Sequence, residues 1–388
     1  MSGLYDAIVI PLVCISGLWI PITLLCCIPW VQKQMLYLHW VTMWPGKWLK
    51  EPERAGYLKN QVSPFWISAV DGERLFAWLV APLGVYSKHA DGFIQEPSGS
   101  DIDIEERLAF RLLRDDPEAR LLIYFHGNSA TIAQGRRTEE YRMYSSGASD
   151  KIFVLAFDYR GFGISKGTPS ESGLLGDAEA VVEWALKVAC IPPNRIVLLG
   201  HSLGTAVASG IVHRYSGLDS PVQFAGLILC AAFTDSGNAF SSYSIADVIP
   251  VLAPVKMIPA LQRWFNHRMR DTWKTKERLV MLVQQLSAFN LILVHAVDDG
   301  TMPYSHTEEL FKATTRAVAD DNPSDQEIDK RLKIIDLGEA GRQEVWKSSG
   351  ISISKLIAKH GGHNTTMKWG PISLAVLECF NLANLHAQ

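Results

Sequence analysis

The chain begins with a long apolar run that carries no charge. Residues 7–31 read AIVIPLVCISGLWIPITLLCCIPWV, which is long enough for a helix across a hydrocarbon layer of about 30 Å. The run exceeds the usual apolar region of a signal peptide, and no basic residue precedes it. We therefore predict a short tail at 1–6 and a transmembrane helix over 7–31. A cleaved signal peptide and a buried core helix are the alternatives.

Aromatic residues continue beyond this run at helical spacing. Tyr37, Trp40, Trp44 and Trp48 carry rings that suit a boundary where one end of the ring is wet and the other lies in lipid. This section of the chain, 32–60, is predicted to be a membrane-proximal linker that holds the body against the bilayer. Ordinary core packing of the four rings is the alternative.

The folded body is predicted over 61–388, and its first element is a hairpin. Two β-rich runs, 65–70 and 75–81, flank the dipeptide Asp71-Gly72. Such a dipeptide between two strand-like runs is typical of a tight turn between antiparallel strands. The pattern therefore predicts that the body opens with an antiparallel hairpin.

Short apolar runs then alternate with helical patterns through the rest of the body. Such alternation is typical of a parallel sheet with helices on both faces. Between the second and third runs, apolar residues recur at helical spacing from Leu174 to Val188 and predict a crossover helix. The predicted fold class is therefore α/β with a mostly parallel central sheet, whose candidate strands are 121–125, 152–158, 195–200, 226–230, 291–296 and 333–337.

One connection in this alternation is unusually long. It covers about 233–286, and its many apolar residues are interrupted by prolines. Insertions of this length within a compact domain are usually lids or binding loops. We predict a lid over a site, with additional core as the alternative.

Composition and charge narrow the class of function. With 388 residues and 48% hydrophobic content, the chain can bury one large core. Lysine and arginine total 37 against 40 acidic residues, and the net charge of −3 gives no general basis for binding nucleic acid. The six cysteines lack metal-ligand spacing, so the chain predicts neither a disulfide framework nor a metal site.

The strongest chemical signal is the pentapeptide Gly-His-Ser-Leu-Gly at 200–204. It follows a candidate strand and precedes a helix-compatible segment, which is the context of the G-x-S-x-G nucleophile elbow. The glycines permit the cramped turn that lifts the Ser202 hydroxyl above the sheet edge. We predict that Ser202 is the nucleophile of an acyl-transfer enzyme.

Acyl transfer also needs hydrogen-bond donors for the developing oxyanion. One donor is the backbone N–H of the residue after the nucleophile, which is Leu203. The second is expected from the tripeptide His126-Gly127-Asn128 at the end of the first parallel strand. We predict that the Asn128 N–H is this donor, and an ordinary turn is the alternative.

A serine hydroxyl needs a base, and the base needs an acid that fixes its tautomer. The expected chain order is serine, acid, histidine. Asp298 and Asp299 both follow the candidate strand at 291–296, and the residues alone leave the two open. His363 follows a flexible Gly-Gly pair and is predicted to be the base, with His360 as the alternative.

These motifs resemble those of the α/β-hydrolase superfamily. The resemblance is narrower to its membrane-anchored alpha/beta hydrolase domain-containing protein twelve group of lysophospholipid and monoacylglycerol lipases. It runs over roughly 121–363, and the motifs that carry it are IYFHGNSATIAQGRRTEEY at 123–141, FDYRGFGISKGTPSESG at 157–173, GHSLGTAVA at 200–208 and HAVDDGTMP at 295–303.

The resemblance also selects between the two aspartates. The H-x-x-x-D-x-x-x-P spacing from His295 to Pro303 matches the acid loop of that family and favours Asp299 over Asp298. The family needs no metal or organic cofactor. The resemblance therefore implies a serine hydrolase whose triad and oxyanion residues are Ser202, Asp299, His363, Leu203 and Asn128.

The expected activity is cleavage of lipid acyl esters through an acyl-enzyme. A thioesterase that acts on acylated membrane proteins and a non-catalytic hydrolase-like scaffold are the alternatives, although a complete triad disfavours the scaffold. The resemblance implies a single-pass protein of the endoplasmic reticulum membrane with a luminal body. The positive-inside tendency instead favours a cytosolic body, because lysines follow the apolar run at Lys33, Lys47 and Lys50.

Overall fold

A computed structural model of the chain describes most of the body and part of the N-terminal segment. The predicted tail at 1–6 and residues 7–19 of the predicted transmembrane helix lie outside the described residues. Among the residues that are described, no helix is long and apolar enough to cross a membrane, so the transmembrane helix stays a prediction. The described residues are 20–42, 47–245, 249–250, 252, 255, 257–318, 328, 331–348 and 350–386.

A large sheet organises the body. The strands of the described residues, in chain order, are β1 (Val62–Ser68), β2 (Arg74–Val80), β3 (Arg120–Phe125), β4 (Ile152–Phe157), β5 (Ile196–His201), β6 (Gly226–Cys230), β7 (Ser244–Ile245), β8 (Ile249–Pro250), β9 (Phe289–Ala296), β10 (Lys333–Asp336), β11 (Arg342–Ser348) and β12 (Ile351–Ala358).

Ten of these described strands form one sheet in the order β1-β2-β4-β3-β5-β6-β9-β12-β11-β10, and β7 pairs only with β8. The central strands from β4 to β12 are parallel, whereas the pairs at both edges are antiparallel. This arrangement confirms the α/β class with a mostly parallel sheet.

The predicted opening hairpin is present as β1 and β2. Their pairing runs from Val62 opposite Val80 to Ser68 opposite Arg74. Gly72 lies in the turn with a φ of +86°, a left-handed conformation that costs a glycine little because it has no Cβ. The Asp-Gly signal therefore predicted the turn correctly.

The predicted parallel strand at 333–337 is wrong. The residues of β10 form a short, mostly exposed edge strand that pairs antiparallel with β11. The central parallel position next to β9 belongs instead to β12, which the sequence reasoning did not predict. An apolar run of five residues indicates a strand, but it does not indicate the partner or the direction of pairing.

Helices cover both faces of the sheet. Residues 20–26 are helical, and the helices with defined bounds are α1 (Pro29–Tyr37), α2 (Lys47–Lys50), α3 (Leu83–Lys88), α4 (Ala90–Gln95), α5 (Leu108–Asp115), α6 (Gly135–Ser145), α7 (Glu171–Glu183), α8 (Leu203–Ser216), α9 (Ser236–Ser242), α10 (Pro259–Asn266), α11 (Thr275–Gln285), α12 (Ser305–Val318), α13 (Gly362–Thr365) and α14 (Gly370–His386).

Two apolar clusters lie on opposite faces of the sheet. In β3, Leu121, Ile123 and Phe125 belong to one cluster, whereas Leu122 and Tyr124 belong to the other. This alternation follows from the two-residue period of a strand. Helices α5, α7, α8, α11 and α12 contribute to the first cluster, and α6 and α14 contribute to the second. Helix α7 is the predicted crossover helix, and it continues as one π-helical turn.

The described part of the predicted linker 32–60 packs closely on the body. Tyr37 is fully buried, and its hydroxyl donates to Asp271 Oδ2 at 2.8 Å. The Gln32 side chain donates to the Arg268 carbonyl at 3.0 Å. Helix α1 is therefore fixed to the predicted lid insertion by side-chain hydrogen bonds.

The predicted insertion at 233–286 divides into two parts. Its earlier part holds α9, β7, β8 and α10, and it shares an apolar cluster with the N-terminal segment through Cys26, Phe240 and Phe265. Its last helix, α11, instead packs into the main core, where Leu279 and Leu282 are fully buried. The earlier part therefore adds a separate apolar cluster, although its Phe233 and Ala239 belong to the main core.

Candidate active site

Ser202 lies in a strained turn between β5 and α8. Its φ is 51° and its ψ is −117°, a conformation that a residue with a Cβ adopts only when its surroundings enforce it. The flanking glycines make the turn possible. A Cβ on Gly204 would lie 1.9 Å from the Phe125 carbonyl oxygen, and one on Gly200 would lie 2.4 Å from the Gly204 oxygen.

The structure brings Ser202, His363 and Asp299 into one hydrogen-bonded chain. His363 Nε2 lies 3.0 Å from Ser202 Oγ, and His363 Nδ1 lies 2.8 Å from Asp299 Oδ2. Asp299 follows β9, and His363 follows β12. These strands are parallel neighbours, so their carboxyl ends deliver the two side chains to the same edge of the sheet.

Asp299 is buried and well provided with donors. Its Oδ1 accepts from the N–H groups of Thr301 and Met302 at 3.0 and 2.8 Å, and its Oδ2 lies 3.1 Å from His295 Nε2. Burial acts to raise the pKa of Asp299, but the hydrogen bonds from His295 and His363 outweigh it and hold that pKa well below its usual range. The carboxylate is therefore ionised beside His363.

The predicted oxyanion residues lie at the same cavity. Asn128, Leu203, Ser202 and His363 all line a cavity of about 360 Å³. Leu203 is the first residue of α8, so its N–H has no partner within the helix. Within the described part of the chain, the structure assigns no acceptor to the N–H of Leu203 or of Asn128. Both groups are therefore available to a ligand.

A profile of the Alpha/beta hydrolase family matches residues 121–363. The chain belongs to this family. Lysophosphatidylserine lipase ABHD12 of Macaca fascicularis is 29% identical over 79% of the chain and 69% of its own length. The Xenopus tropicalis enzyme of the same name is 28% identical over 81% and 74%. The human Protein ABHD12B is 30% identical over 51% of the chain and 50% of its own length.

Solved structures agree with this assignment at the level of the fold. An alpha-beta hydrolase from Vibrio vulnificus superposes with a TM-score of 0.53 over 85% of each chain, at 13% sequence identity. Identity at this level shows the fold alone. The family match and the ABHD12 relatives identify the chain as a hydrolase of the lipase and esterase type.

The alternative acid and base occupy different places in this hydrolase. Asp298 does not replace Asp299. Its exposed carboxylate accepts from the backbone N–H groups of Gly361 and Gly362 at 3.2 and 2.8 Å, and so holds the loop that carries His363. His360 is exposed, and it is His363 that contacts Ser202.

His201 is a site residue that the sequence reasoning did not single out. Its Nε2 lies 2.8 Å from the His363 carbonyl oxygen. Burial is the largest cause that holds the pKa of His201 well below its usual value, and the nearby His363 lowers this pKa further. The ring is therefore neutral and can donate from Nε2 to that carbonyl. The only signal was its position inside the elbow pentapeptide, where the residue type is not prescribed.

The cavity of this hydrolase has a polar side and an apolar side. Gln134, Arg136 and Arg137 line it near the start of α6. The apolar wall comes from distant parts of the chain and consists of Met35, Leu36, Phe233, Ala239, Phe240 and Met302. Helix α1 and the insertion therefore both contribute to the cavity in which Ser202 lies.

Proposed function

We propose that the chain is a membrane-anchored serine hydrolase that cleaves lipid acyl esters of the monoacylglycerol or lysophospholipid type. The observation that carries the proposal is the hydrogen-bonded chain from Ser202 through His363 to Asp299. This is the arrangement by which a base removes the proton of a serine hydroxyl while a carboxylate fixes the base in the correct tautomer.

The proposed reaction passes through an acyl-enzyme. Ser202 Oγ attacks the ester carbonyl carbon while His363 Nε2 takes the hydroxyl proton. The N–H groups of Leu203 and Asn128 donate to the carbonyl oxygen as it becomes an oxyanion. His363 then gives its proton to the leaving alcohol oxygen. A water molecule, deprotonated by the same imidazole, attacks the acyl-enzyme and releases the fatty acid and Ser202.

The apolar wall of the cavity supports a lipid acyl group as the substrate. Met35, Leu36 and Phe240 line the cavity, and apolar side chains of this kind bury the hydrocarbon of a ligand. The relatives named lysophosphatidylserine lipase add support for a lysophospholipid. The insertion would then cover the acyl chain.

Membrane anchoring is proposed from the apolar run at 7–31. The described end of this run exposes Ile20, Leu24 and Leu25 by 51–62% of their surface, and Trp30 by 68%, as expected for side chains that meet lipid. We place the protein in the endoplasmic reticulum membrane as a single-pass protein.

The anchor is tested by alkaline extraction of membranes, which an anchored protein should resist. Protection of a C-terminal tag from added protease would indicate a luminal body, and its digestion a cytosolic one.

The activity is tested with a fluorophosphonate probe on detergent-solubilised protein. We expect covalent labelling of the wild type, no labelling of Ser202→Ala and slow labelling of His363→Ala. Ser209→Ala is the matched control, because Ser209 is a fully buried serine of α8, the helix that follows Ser202, and its hydroxyl donates to the Ala206 carbonyl. Release of fatty acid from monoacylglycerols and lysophospholipids then identifies the substrate. A folded wild type that neither labels nor releases fatty acid would refute the proposal.

A further inference from the structure

Arg137 is buried beside the loop that carries the proposed oxyanion donor. Only 1% of its surface is exposed, yet no carboxylate pairs with it in the described structure. Its guanidinium donates to backbone carbonyl oxygens instead. The Nη2 group lies 3.2, 3.4 and 3.0 Å from the oxygens of Gly127, Asn128 and Ser129. The Nη1 group lies 2.9 Å from the oxygen of Thr131.

These contacts fix the direction of three consecutive peptide groups. The C=O and N–H of a trans peptide are coplanar and point in opposite directions. A carbonyl that faces Arg137 therefore turns the N–H of the next residue away from Arg137. For the Gly127 carbonyl, that N–H belongs to Asn128. His126 Nδ1 also lies 2.7 Å from the Gly127 oxygen, so two donors hold this peptide.

The backbone of the N-terminal segment holds the other two peptides from the opposite side. The N–H of Ser129 donates to the Tyr37 carbonyl at 3.0 Å, and the N–H of Ala130 donates to the Val41 carbonyl at 2.6 Å. Ser129 and Ala130 both have positive φ values, 58° and 56°, which side chains with a Cβ adopt only under constraint. The N–H of Asn128 differs because the described structure assigns it no acceptor.

We propose that Arg137 is a positioning residue that holds the Gly127–Asn128 peptide with its N–H directed at the substrate oxyanion, and that residues 37–41 brace the same loop. The segment that precedes the sheet thus forms part of the active site. Without these contacts, the peptide could rotate and turn a carbonyl oxygen towards the oxyanion, which would repel it. The inference rests on the proposed acyl transfer.

A purely structural role for Arg137 has different consequences. Removal of a buried arginine leaves carbonyl groups without donors and lowers stability wherever it occurs. A positioning role in addition lowers the rate at each folded active site. Arg107 provides the comparison, since it is also 1% exposed and donates to the backbone carbonyls of Pro97 and Gly99. It differs in that it also pairs with Glu96 at 3.5 Å, and it lies outside the residues that line the cavity.

The test compares Arg137→Lys and Arg137→Gln with Arg107→Lys and Arg107→Gln in the full-length protein. Hydrolysis of a short p-nitrophenyl ester is measured per active site, counted by end-point fluorophosphonate titration. Inhibition by an alkylboronic acid, which forms a tetrahedral adduct with the serine, reports on the oxyanion donors. Tyr37→Phe removes the hydroxyl bond to Asp271 and loosens the brace.

We expect Arg137→Gln to lower kcat by about 10- to 100-fold, which is less than the roughly 10²- to 10³-fold loss on deletion of an oxyanion donor. KM should change little, and the boronic acid should bind more weakly by a similar factor. Arg137→Lys should fall between, and Tyr37→Phe should lower kcat several-fold. The Arg107 variants should keep the wild-type kcat per titrated site.

The inference is overturned if Arg137→Gln or Arg137→Lys retains the wild-type kcat and boronic acid affinity per titrated site, or if the Arg107 variants lose as much. Because lysine retains a donor and much of the volume, Arg137→Lys supplies a folded protein should Arg137→Gln unfold. A folded wild type that neither labels nor hydrolyses esters would refute the proposed function itself, and the inference with it.

Discussion

Two adjacent aspartates hold His363 in different ways. Asp299 accepts from the imidazole Nδ1, whereas Asp298 accepts from the backbone N–H groups of Gly361 and Gly362. The first contact fixes the ring, and the second fixes the loop that carries the ring. The Asp-Asp dipeptide thus places one carboxylate at the His363 ring and one at the backbone of the loop that carries it.

We predict unequal effects for the two corresponding amide variants. Asp299→Asn should lower kcat by roughly 10³- to 10⁴-fold, because an amide no longer stabilises the imidazolium or the required tautomer. Asp298→Asn should lower kcat by less than about 10-fold, since the amide oxygen still accepts one of the two N–H groups. Steady-state hydrolysis at pH 8, normalised to folded protein, measures both. Equal losses in the two variants would show that the assignment of the acid is wrong.

Asp158 is a buried acid with a strongly shifted pKa. Its side chain is inaccessible to solvent and lies 3.6 Å from His126 Nε2, and its Oδ1 accepts from the Ile132 N–H at 2.9 Å. Burial raises the pKa of Asp158 from 3.8 to about 7. The folded state therefore retains a proton that the unfolded chain releases at lower pH.

This shift predicts a pH-dependent stability that Asp158→Asn should remove. Since the folded-state pKa is raised, the stability contributed by the neutral carboxyl is present below the unfolded value of 3.8 and is lost as pH rises towards about 7. From pH 5 to pH 8, the unfolding free energy of the wild type should fall relative to that of the variant by roughly 2–3 kcal/mol, at about 1.4 kcal/mol per pKa unit.

Urea unfolding of both proteins at pH 5 and pH 8 measures this difference. The amide oxygen of the variant can still accept from Ile132, so the comparison isolates the ionisation. The same difference in stability at both pH values would mean that Asp158 does not titrate in this range.

At the scale of single residues, the sequence predicts those side chains whose residue type and position are prescribed by a motif. Ser202 and His363 could be proposed because the elbow pentapeptide and the chain order restrict the candidates. Arg137 and His201 could not, because both act on backbone carbonyls. Every residue has a backbone carbonyl, so the residue type does not indicate which carbonyl a side chain will contact. These contacts depend on the tertiary structure, which a local sequence pattern does not predict.

The elbow is the element on which the active site depends most. Helix α8 begins so close to β3 that Gly204 lies against the Phe125 carbonyl. Strand β3 is in the centre of the sheet and its backbone cannot retreat. The close approach of α8 to β3 therefore leaves no room for a side chain at position 204. Both the turn and the packing of α8 require glycine there.

We predict that Gly204→Ala unfolds the elbow. The new Cβ would lie 1.9 Å from the Phe125 oxygen, so α8 must move and the protein should lose several kcal/mol of stability. Gly217→Ala is the matched control at the other end of the same helix, because its Cβ would lie 3.8 Å from the nearest atoms. That variant should stay within about 0.5 kcal/mol of the wild type. Urea unfolding with fluorophosphonate labelling measures both effects, and a stable, labelled Gly204→Ala would contradict the prediction.

At the scale of elements, local patterns predicted the strands and helices but not all of their partners. The hairpin of β1 and β2 and the helix α7 were predicted because turn chemistry and apolar periodicity are local signals. Strand β12 has no counterpart among the predicted strands, and the run at 333–337, predicted as a parallel strand, forms the antiparallel edge strand β10. The pairing of a strand depends on how deeply the whole fold buries it. Strand β10 is mostly exposed and lies at the edge of the sheet.

At the scale of the whole molecule, the N-terminal segment joins three functional parts. Helix α1 contributes Met35 and Leu36 to the cavity, its last residue binds the loop at Ser129, and its side chains bind the insertion. The sequence analysis divides α1 between the predicted transmembrane helix, which ends at residue 31, and the membrane-proximal linker at 32–60, with core packing of the aromatic rings as the alternative. Its contacts join residues that are far apart in the chain, which a local pattern does not predict.

The position of Leu36 predicts a variant that is selective for acyl-chain length. Leu36 lines the cavity and also packs beside the cluster of Cys26 and Phe240. A tryptophan at this position would fill space that we assign to the acyl chain while leaving Ser202 accessible to a short ester. Leu36→Trp should therefore lower kcat/KM for a C16 or C18 monoacylglycerol at least 10-fold relative to a C4 ester, because each buried methylene contributes about 0.8 kcal/mol. Leu218→Trp is the control, since Leu218 is 48% exposed and does not line the cavity. An equal fall for long and short esters would place the acyl chain elsewhere.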